Sequence, residues 1–125
     1  MGWMVRATTV AAALTLATGS ALTGATPAAA VGGCASGYLC VYDANNFEGD
    51  KIVSSSTNSC FNPHLVKPTW WRTMSYVNNN SVDAVLWAVT TPGGLLHAVR
   101  TLPRGGFSSA IPPHDESLIC LGTEP

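Results

Sequence analysis

The chain carries little charge: only 10% of its 125 residues are Asp, Glu, Lys or Arg. From Val31 onward, Lys51, Lys67, Arg72, Arg100 and Arg104 stand against Asp43, Glu48, Asp50, Asp83, Asp115, Glu116 and Glu124, a net charge of −2. No basic stripe runs among them, so nucleic acid is not an expected partner. No apolar run after residue 30 is long enough to cross a bilayer. No amphipathic helix of useful length is present, which removes the helical bundles. No paired Cys-x-x-Cys offers a zinc site, and no Gly-x-Ser-x-Gly surrounds a serine.

What the chain does have begins with its first thirty residues. Met1 to Ala30 holds one early cation, Arg6, then an uncharged run of Ala, Leu, Val, Thr and Gly that ends in Ala28-Ala29-Ala30. An apolar run of that length with an A-x-A end reads as a secretory signal peptide, leaving Val31 to Pro125 as a single domain. A domain of this size buries only about two-thirds of its unfolded surface, so covalent staples help. Four cysteines remain, Cys34, Cys40, Cys60 and Cys120. An even count in an exported chain argues for two disulfides, with three pairings open.

The rest of the chain is short apolar stretches broken by Gly, Pro and Asn. Tyr38 to Tyr42 reads as a strand that enters a turn at Asp43 to Gly49. Further strands are expected at Lys51 to Val53, Ser75 to Val77, Val82 to Val89, Leu95 to Leu102, Phe107 to Ile111 and Ser117 to Leu121. Between them lie a polar loop at Ser54 to Ser59, a Pro-bounded stretch at Phe61 to Pro68, an Asn78-Asn79-Asn80 turn and a Pro92-Gly93-Gly94 turn. Strands at this spacing indicate an all-β sandwich or barrel.

Tyr42-Asp-Ala-Asn-Asn-Phe47-Glu-Gly49 has an aromatic, four residues, an aromatic, one residue and Gly. This resembles the folded hairpin of βγ-crystallin motifs. A weak repeat follows at an offset of 45 residues, where Trp87 and Gly94 keep the spacing of Tyr42 and Gly49 and Pro92 stands where the second aromatic belongs. Preceded by Cys34-x-x-Gly-Tyr-x-Cys40, the signature is similar to that of the small secreted actinobacterial proteins grouped as peptidase inhibitor family I36. The resemblance implies a βγ-crystallin-like Greek-key β-sandwich of two four-stranded motifs, stapled by disulfides. It supports a Cys34–Cys40 bridge, which leaves Cys60 and Cys120 for the other.

It also raises calcium, which needs hard oxygen ligands. The calcium motif of such domains resembles two Asn or Asp, two free positions, Ser or Thr, then Ser. The first aligned stretch here is Trp70-Trp71-Arg72-Thr73-Met74-Ser75, two indoles and a cation. The second is His114-Asp115-Glu116-Ser117-Leu118-Ile119, where Asp115 fits and the closing hydroxyls are missing. Asp115 is thus a weak calcium candidate, and no cofactor is expected.

No catalytic constellation is expected either. The histidines, His64, His97 and His114, have no free cysteine to activate. Asp115 and Glu116, adjacent in sequence, would point apart on a strand and read as a solvated turn. Trp70, Trp71 and Arg72 form the candidate interface, with at least one tryptophan expected in the core. The resemblance implies a secreted inhibitor of a peptidase, with metallopeptidases as the target class, but carries over no inhibitory residue; a monomer is expected, and the Pro-bounded stretches Asn58 to Trp71 and Pro103 to Pro113, each with a cysteine nearby, are the candidate exposed segments. The alternative is a non-inhibitory βγ-crystallin-like module outside the cell, such as a killer-toxin-like antimicrobial or a cell-surface binding protein.

Overall fold

The structure, a computed structural model, describes residues 31–90 and 93–125. The expected signal peptide, Met1 to Ala30, and Pro92 of the second hairpin lie outside the described residues. Eight strands follow in order: β1 Leu39–Tyr42, β2 Lys51–Ser54, β3 Ser59–Phe61, β4 Ser75–Asn78, β5 Ala84–Thr90, β6 Leu95–Leu102, β7 Phe107–Ser108 and β8 Glu116–Leu121. Among the described residues one α-helical turn, α1 Pro63–Val66, lies between strands, with short 3-10 turns at Val31–Gly33 and Asn45–Phe47.

The strands form two antiparallel four-stranded sheets, ordered β2-β1-β4-β7 and β3-β8-β5-β6. In each sheet three strands come from one half of the chain and the third strand of the other half joins at an edge. The pattern is the same in both sheets, so the order is compatible with the expected pair of four-stranded motifs. The fold is all-β and carries two disulfides, Cys34–Cys40 and Cys60–Cys120.

Inward-facing residues of the strands build the core between the sheets. Leu39, Val41, Ile52 and Tyr76 point in from one sheet, and Ala84, Leu86, Leu102, Ile119 and Leu121 from the other. Trp70 and Ile111 close it from the connections. A second, smaller cluster lies on the outer face of the first sheet. There Cys34, Cys40, Tyr42 and Val77 pack with Val31 and Phe47. The segment before β1 is thus a strap over that face, held by the Cys34–Cys40 bridge and by the Tyr42 hydroxyl, which donates to the Gly32 carbonyl at 3.0 Å.

The hairpin after β1 folds over itself as its sequence suggests. Tyr42 and Phe47 meet edge to face with centroids 5.7 Å apart. Asn46 and Phe47 both sit at positive φ. Ser75 pins the hairpin from β4: its hydroxyl donates to the Ala44 carbonyl at 2.6 Å and accepts from the Phe47 N–H at 3.0 Å.

Two expectations change, and one expected strand is bulged. β3 runs through Ser59 to Phe61, which the sequence places across a polar loop and the start of a Pro-bounded stretch. Three residues, Ser-Cys-Phe, are too few to show an apolar alternation, and pairing with β8 makes them a strand. Strict alternation fails in β6. A bulge leaves Val99 unpaired, with Arg100 opposite Leu86 but Ala98 opposite Trp87, so the faces exchange midway. The Phe107 to Ile111 strand shrinks to Phe107–Ser108, and Ile111 is a buried loop residue whose N–H donates to the Met74 carbonyl at 2.9 Å.

Candidate functional site

The connection from β3 to β4, residues 62–74, is the most elaborated loop of the fold. Asn62 begins it by capping α1: its side-chain oxygen accepts from the His64 N–H at 2.8 Å. Pro63 takes the first helical position, where its missing N–H costs nothing, and it is buried. The turn closes with Lys67 N–H on the Pro63 carbonyl, and Trp70 N–H on the Lys67 carbonyl.

The connection is anchored at both ends. Cys60 precedes it and is bridged to Cys120. Met74 ends it with its N–H on the Tyr42 carbonyl at 2.8 Å. Midway, the Thr69 hydroxyl donates to Asp50 at 2.9 Å. The central anchor is Glu116, 2% exposed at the start of β8. Its Oε2 accepts from Trp70 Nε1 at 3.2 Å, Thr73 N at 2.7 Å and Thr73 Oγ1 at 2.8 Å. His64 Nε2 donates to the Glu116 carbonyl at 3.3 Å.

The sequence pairs Trp70 with Trp71, and the structure separates them. Trp70 is 4% exposed and part of the core, whereas Trp71 is 64% exposed. The Arg72 guanidinium lies 5.0 Å from the Trp71 ring centre. Its NH2 also meets Asp115 Oδ1 at 3.1 Å. Leu65 and Val66, on α1, are exposed as well, Leu65 at 81%. The connection thus exposes three large apolar side chains, Leu65, Val66 and Trp71, with the Arg72–Asp115 ion pair beside Trp71, on a backbone held on either side of residues 71 and 72.

Asp115, the weak calcium candidate, has the Arg72 guanidinium as its partner. Among the described residues no group of three or more His, Cys, Asp or Glu converges as a metal cluster. Glu116 corrects the reading of Asp115-Glu116 as a solvated turn. Asp115 is exposed, but Glu116 is buried because donors from the facing connection meet its carboxylate. The sequence signal for it was an acidic residue beginning an apolar strand directly after another acidic residue, which charge counting does not distinguish from a surface pair.

The second candidate segment, Pro103 to Pro113, is a tight turn and β7. Gly105 N–H donates to the Asn78 carbonyl at 2.7 Å and Arg104 N–H to Asp83 at 2.9 Å. Phe107 is its exposed large apolar residue, while Ile111 is buried. The signature residues Tyr42, Phe47 and Gly49 form the first hairpin. Trp87 and Gly94 fall in β5 and just before β6, Gly94 at positive φ like Gly49. Trp87 faces Leu118 and Ala98 across the outer face of the second sheet.

Comparison with known proteins gives one match. A family model described as peptidase inhibitor family I36 matches residues 27–98, from the strap through β5 and into β6. The match takes in Cys34, Cys40, the Tyr42–Gly49 hairpin and all of the 62–74 connection, and stops before Asp115, Glu116 and Cys120. No curated protein and no solved structure matches the chain. With more than half of its length matched, the chain belongs to peptidase inhibitor family I36.

Proposed function

We propose that this protein is an exported, monomeric inhibitor of a metallopeptidase and that it meets its target through the 62–74 connection. The observation that carries this reading is the combination of exposed Leu65, Val66 and Trp71 with a backbone fixed from both ends. An inhibitor must present side chains to a cleft without losing much entropy on binding. Trp and Arg are among the residue types that dominate such contacts, which puts Trp71 and Arg72 at the centre of the surface and Leu65 and Val66 around it.

The family supports inhibition of a peptidase in general. The metallopeptidase class is the finer part of the proposal and rests on the family resemblance. Two disulfides and an inhibitor family are consistent with a protein outside the cell, and no helix among the described residues is long and apolar enough to cross a membrane. The protein acts through binding, without a catalytic group or cofactor of its own.

A second reading has one observation in its favour. The outer face of the second sheet carries Val89 opposite Leu96, both exposed, and Trp87 opposite Ala98 and Leu118. That face suits a binding module without inhibitory activity.

The deciding experiment is inhibition of purified peptidases by the oxidised protein, with thermolysin as a metallopeptidase and subtilisin as a serine peptidase. The proposal expects inhibition of the metallopeptidase and its loss in Leu65→Ala and Trp71→Ala. Inhibition of subtilisin alone overturns the metallopeptidase class. Inhibition that both variants retain overturns the surface, and no inhibition of either enzyme favours the second reading.

A further inference from the structure

Glu116 holds a carboxylate almost out of water, which is unfavourable unless donors meet it. All three donors to its Oε2 come from Trp70 and Thr73, the residues that flank Trp71 and Arg72. Its Oε1 is buried with no hydrogen-bond partner. Its main-chain carbonyl takes a further bond from His64, one residue before Leu65. Four hydrogen bonds from one connection therefore converge on one residue of β8, while the two residues between the donors face outward.

The consequence is geometric. Trp70 and Thr73 are drawn toward β8, and the backbone between them must project Trp71 and Arg72 away from the core. Arg72 then reaches Asp115, the residue before Glu116, and lies against the Trp71 ring. One carboxylate oxygen accepts all three side-chain and main-chain bonds, so Trp70 and Thr73 are tied to the same point of β8.

We infer that Glu116 is a positioning residue for inhibition: its carboxylate sets the pose in which Trp71 and Arg72 are offered to the peptidase. The inference rests on the reading of residues 62–74 as the contact surface. It adds a residue that lies outside the family match and touches no target itself.

The test uses Glu116→Gln, which keeps the shape and the acceptor oxygen but removes the charge. Thr73→Val is a milder second variant that deletes one donor. Two measurements separate positioning from stability. In amide spectra of the free protein, Glu116→Gln shifts the Trp70 indole proton and broadens the Trp71 and Arg72 amides, while the β1 and β2 amides keep their positions. Against the peptidase that the wild type inhibits, Glu116→Gln raises the inhibition constant about tenfold, chiefly through faster dissociation. Thr73→Val acts in the same direction and less. In a Trp71→Ala background, Glu116→Gln adds little further loss, because it acts through the side chain already removed.

Unbroadened Trp71 and Arg72 amides overturn the inference. So does a Glu116→Gln variant that keeps its inhibition constant while Trp71→Ala loses it, and so does full additivity of the two substitutions. If Glu116→Gln does not fold, Thr73→Val is read by the same criteria. Inhibition unaffected by Trp71→Ala overturns the contact surface and the inference with it.

Discussion

The two disulfides close loops of very different length, and this predicts unequal roles. Cys60–Cys120 spans a sequence separation of 60, and Cys34–Cys40 a separation of 6. In the chain-entropy treatment a bridge stabilises by restricting the unfolded state, and the effect grows with the logarithm of loop length. The long loop gives about 4 kcal/mol and the short one about 2 kcal/mol at 25 °C. A domain of this size has about 5–15 kcal/mol in total, so losing the long bridge removes a large part of it. Converted at about 4–8 °C per kcal/mol, removal of Cys60–Cys120 lowers Tm by about 20 °C or more and removal of Cys34–Cys40 by about 10 °C. The assay is denaturant and thermal unfolding of the Cys60→Ala/Cys120→Ala and Cys34→Ala/Cys40→Ala pairs. Function separates them further. Cys60 lies two residues before the 62–74 connection, and its partner lies on β8, which also carries Glu116. Folded molecules without the long bridge inhibit more weakly, whereas folded molecules without the short bridge inhibit as the wild type does. Equal losses of stability, or a larger loss from Cys34–Cys40, refute the entropic argument, and undiminished inhibition without Cys60–Cys120 refutes its link to the connection.

Three further outcomes follow from the geometry. Gly49 has φ +78°, and a Cβ there would run into the Asp43 carboxylate, while Gly105 at φ +77° has open space around it. Both changes to Ala meet a left-handed backbone that costs about 1–2 kcal/mol, but Gly49→Ala also meets the clash, so its Tm falls further than that of Gly105→Ala. Burial raises the Tyr42 hydroxyl above its ordinary 10.0, and burial raises Tyr76 likewise, with Arg100 opposing in part. Between pH 10 and the raised folded values the unfolded chain has lost these protons and the folded one has kept them, so stability is full below pH 10 and falls above it; Tyr42→Phe makes that fall shallower, as unfolding measured from pH 8 to 12 will show. Finally, Arg72 already neutralises Asp115, so neither calcium nor a chelator changes Tm, and a calcium-dependent rise in Tm would refute the assignment of that position to an ion pair.

The sequence showed most of the fold because turn chemistry and apolar runs are local. Tyr42, Phe47 and Gly49 form their hairpin from residues within eight positions of one another. β3 was not legible, because Ser59-Cys60-Phe61 becomes a strand only by pairing with β8, sixty residues away. The bulge at Val99 was equally hidden, since it depends on how β6 registers against β5. The site was legible as a neighbourhood: Trp70, Trp71 and Arg72 stand out by composition. Trp70 is the buried one because it packs in the core and its Nε1 meets Glu116, and a one-dimensional reading cannot bring residues 70 and 116 together.

The two stretches aligned with the calcium motif, 70–75 and 114–119, lie against each other in the structure. Arg72 meets Asp115, and Trp70 and Thr73 meet Glu116. Side-chain cations and donors therefore stand on both carboxylates of the second stretch. Such links do not vary with the concentration of a free ion. On the proposed function, an inhibitor outside the cell would meet changing calcium. A contact surface whose order comes from Cys60–Cys120, Glu116 and the Asn62 cap keeps its pose under those conditions. Placing Trp71 beside these links, with Trp70 as its buried neighbour, fixes a large exposed side chain through residues on either side of it. On this argument the rigidity of residues 62–74 and the identity of residues 115 and 116 belong to one design, and exchanging Arg72 and Asp115 for a Glu and a Lys should preserve that rigidity while reversing the charge presented beside Trp71.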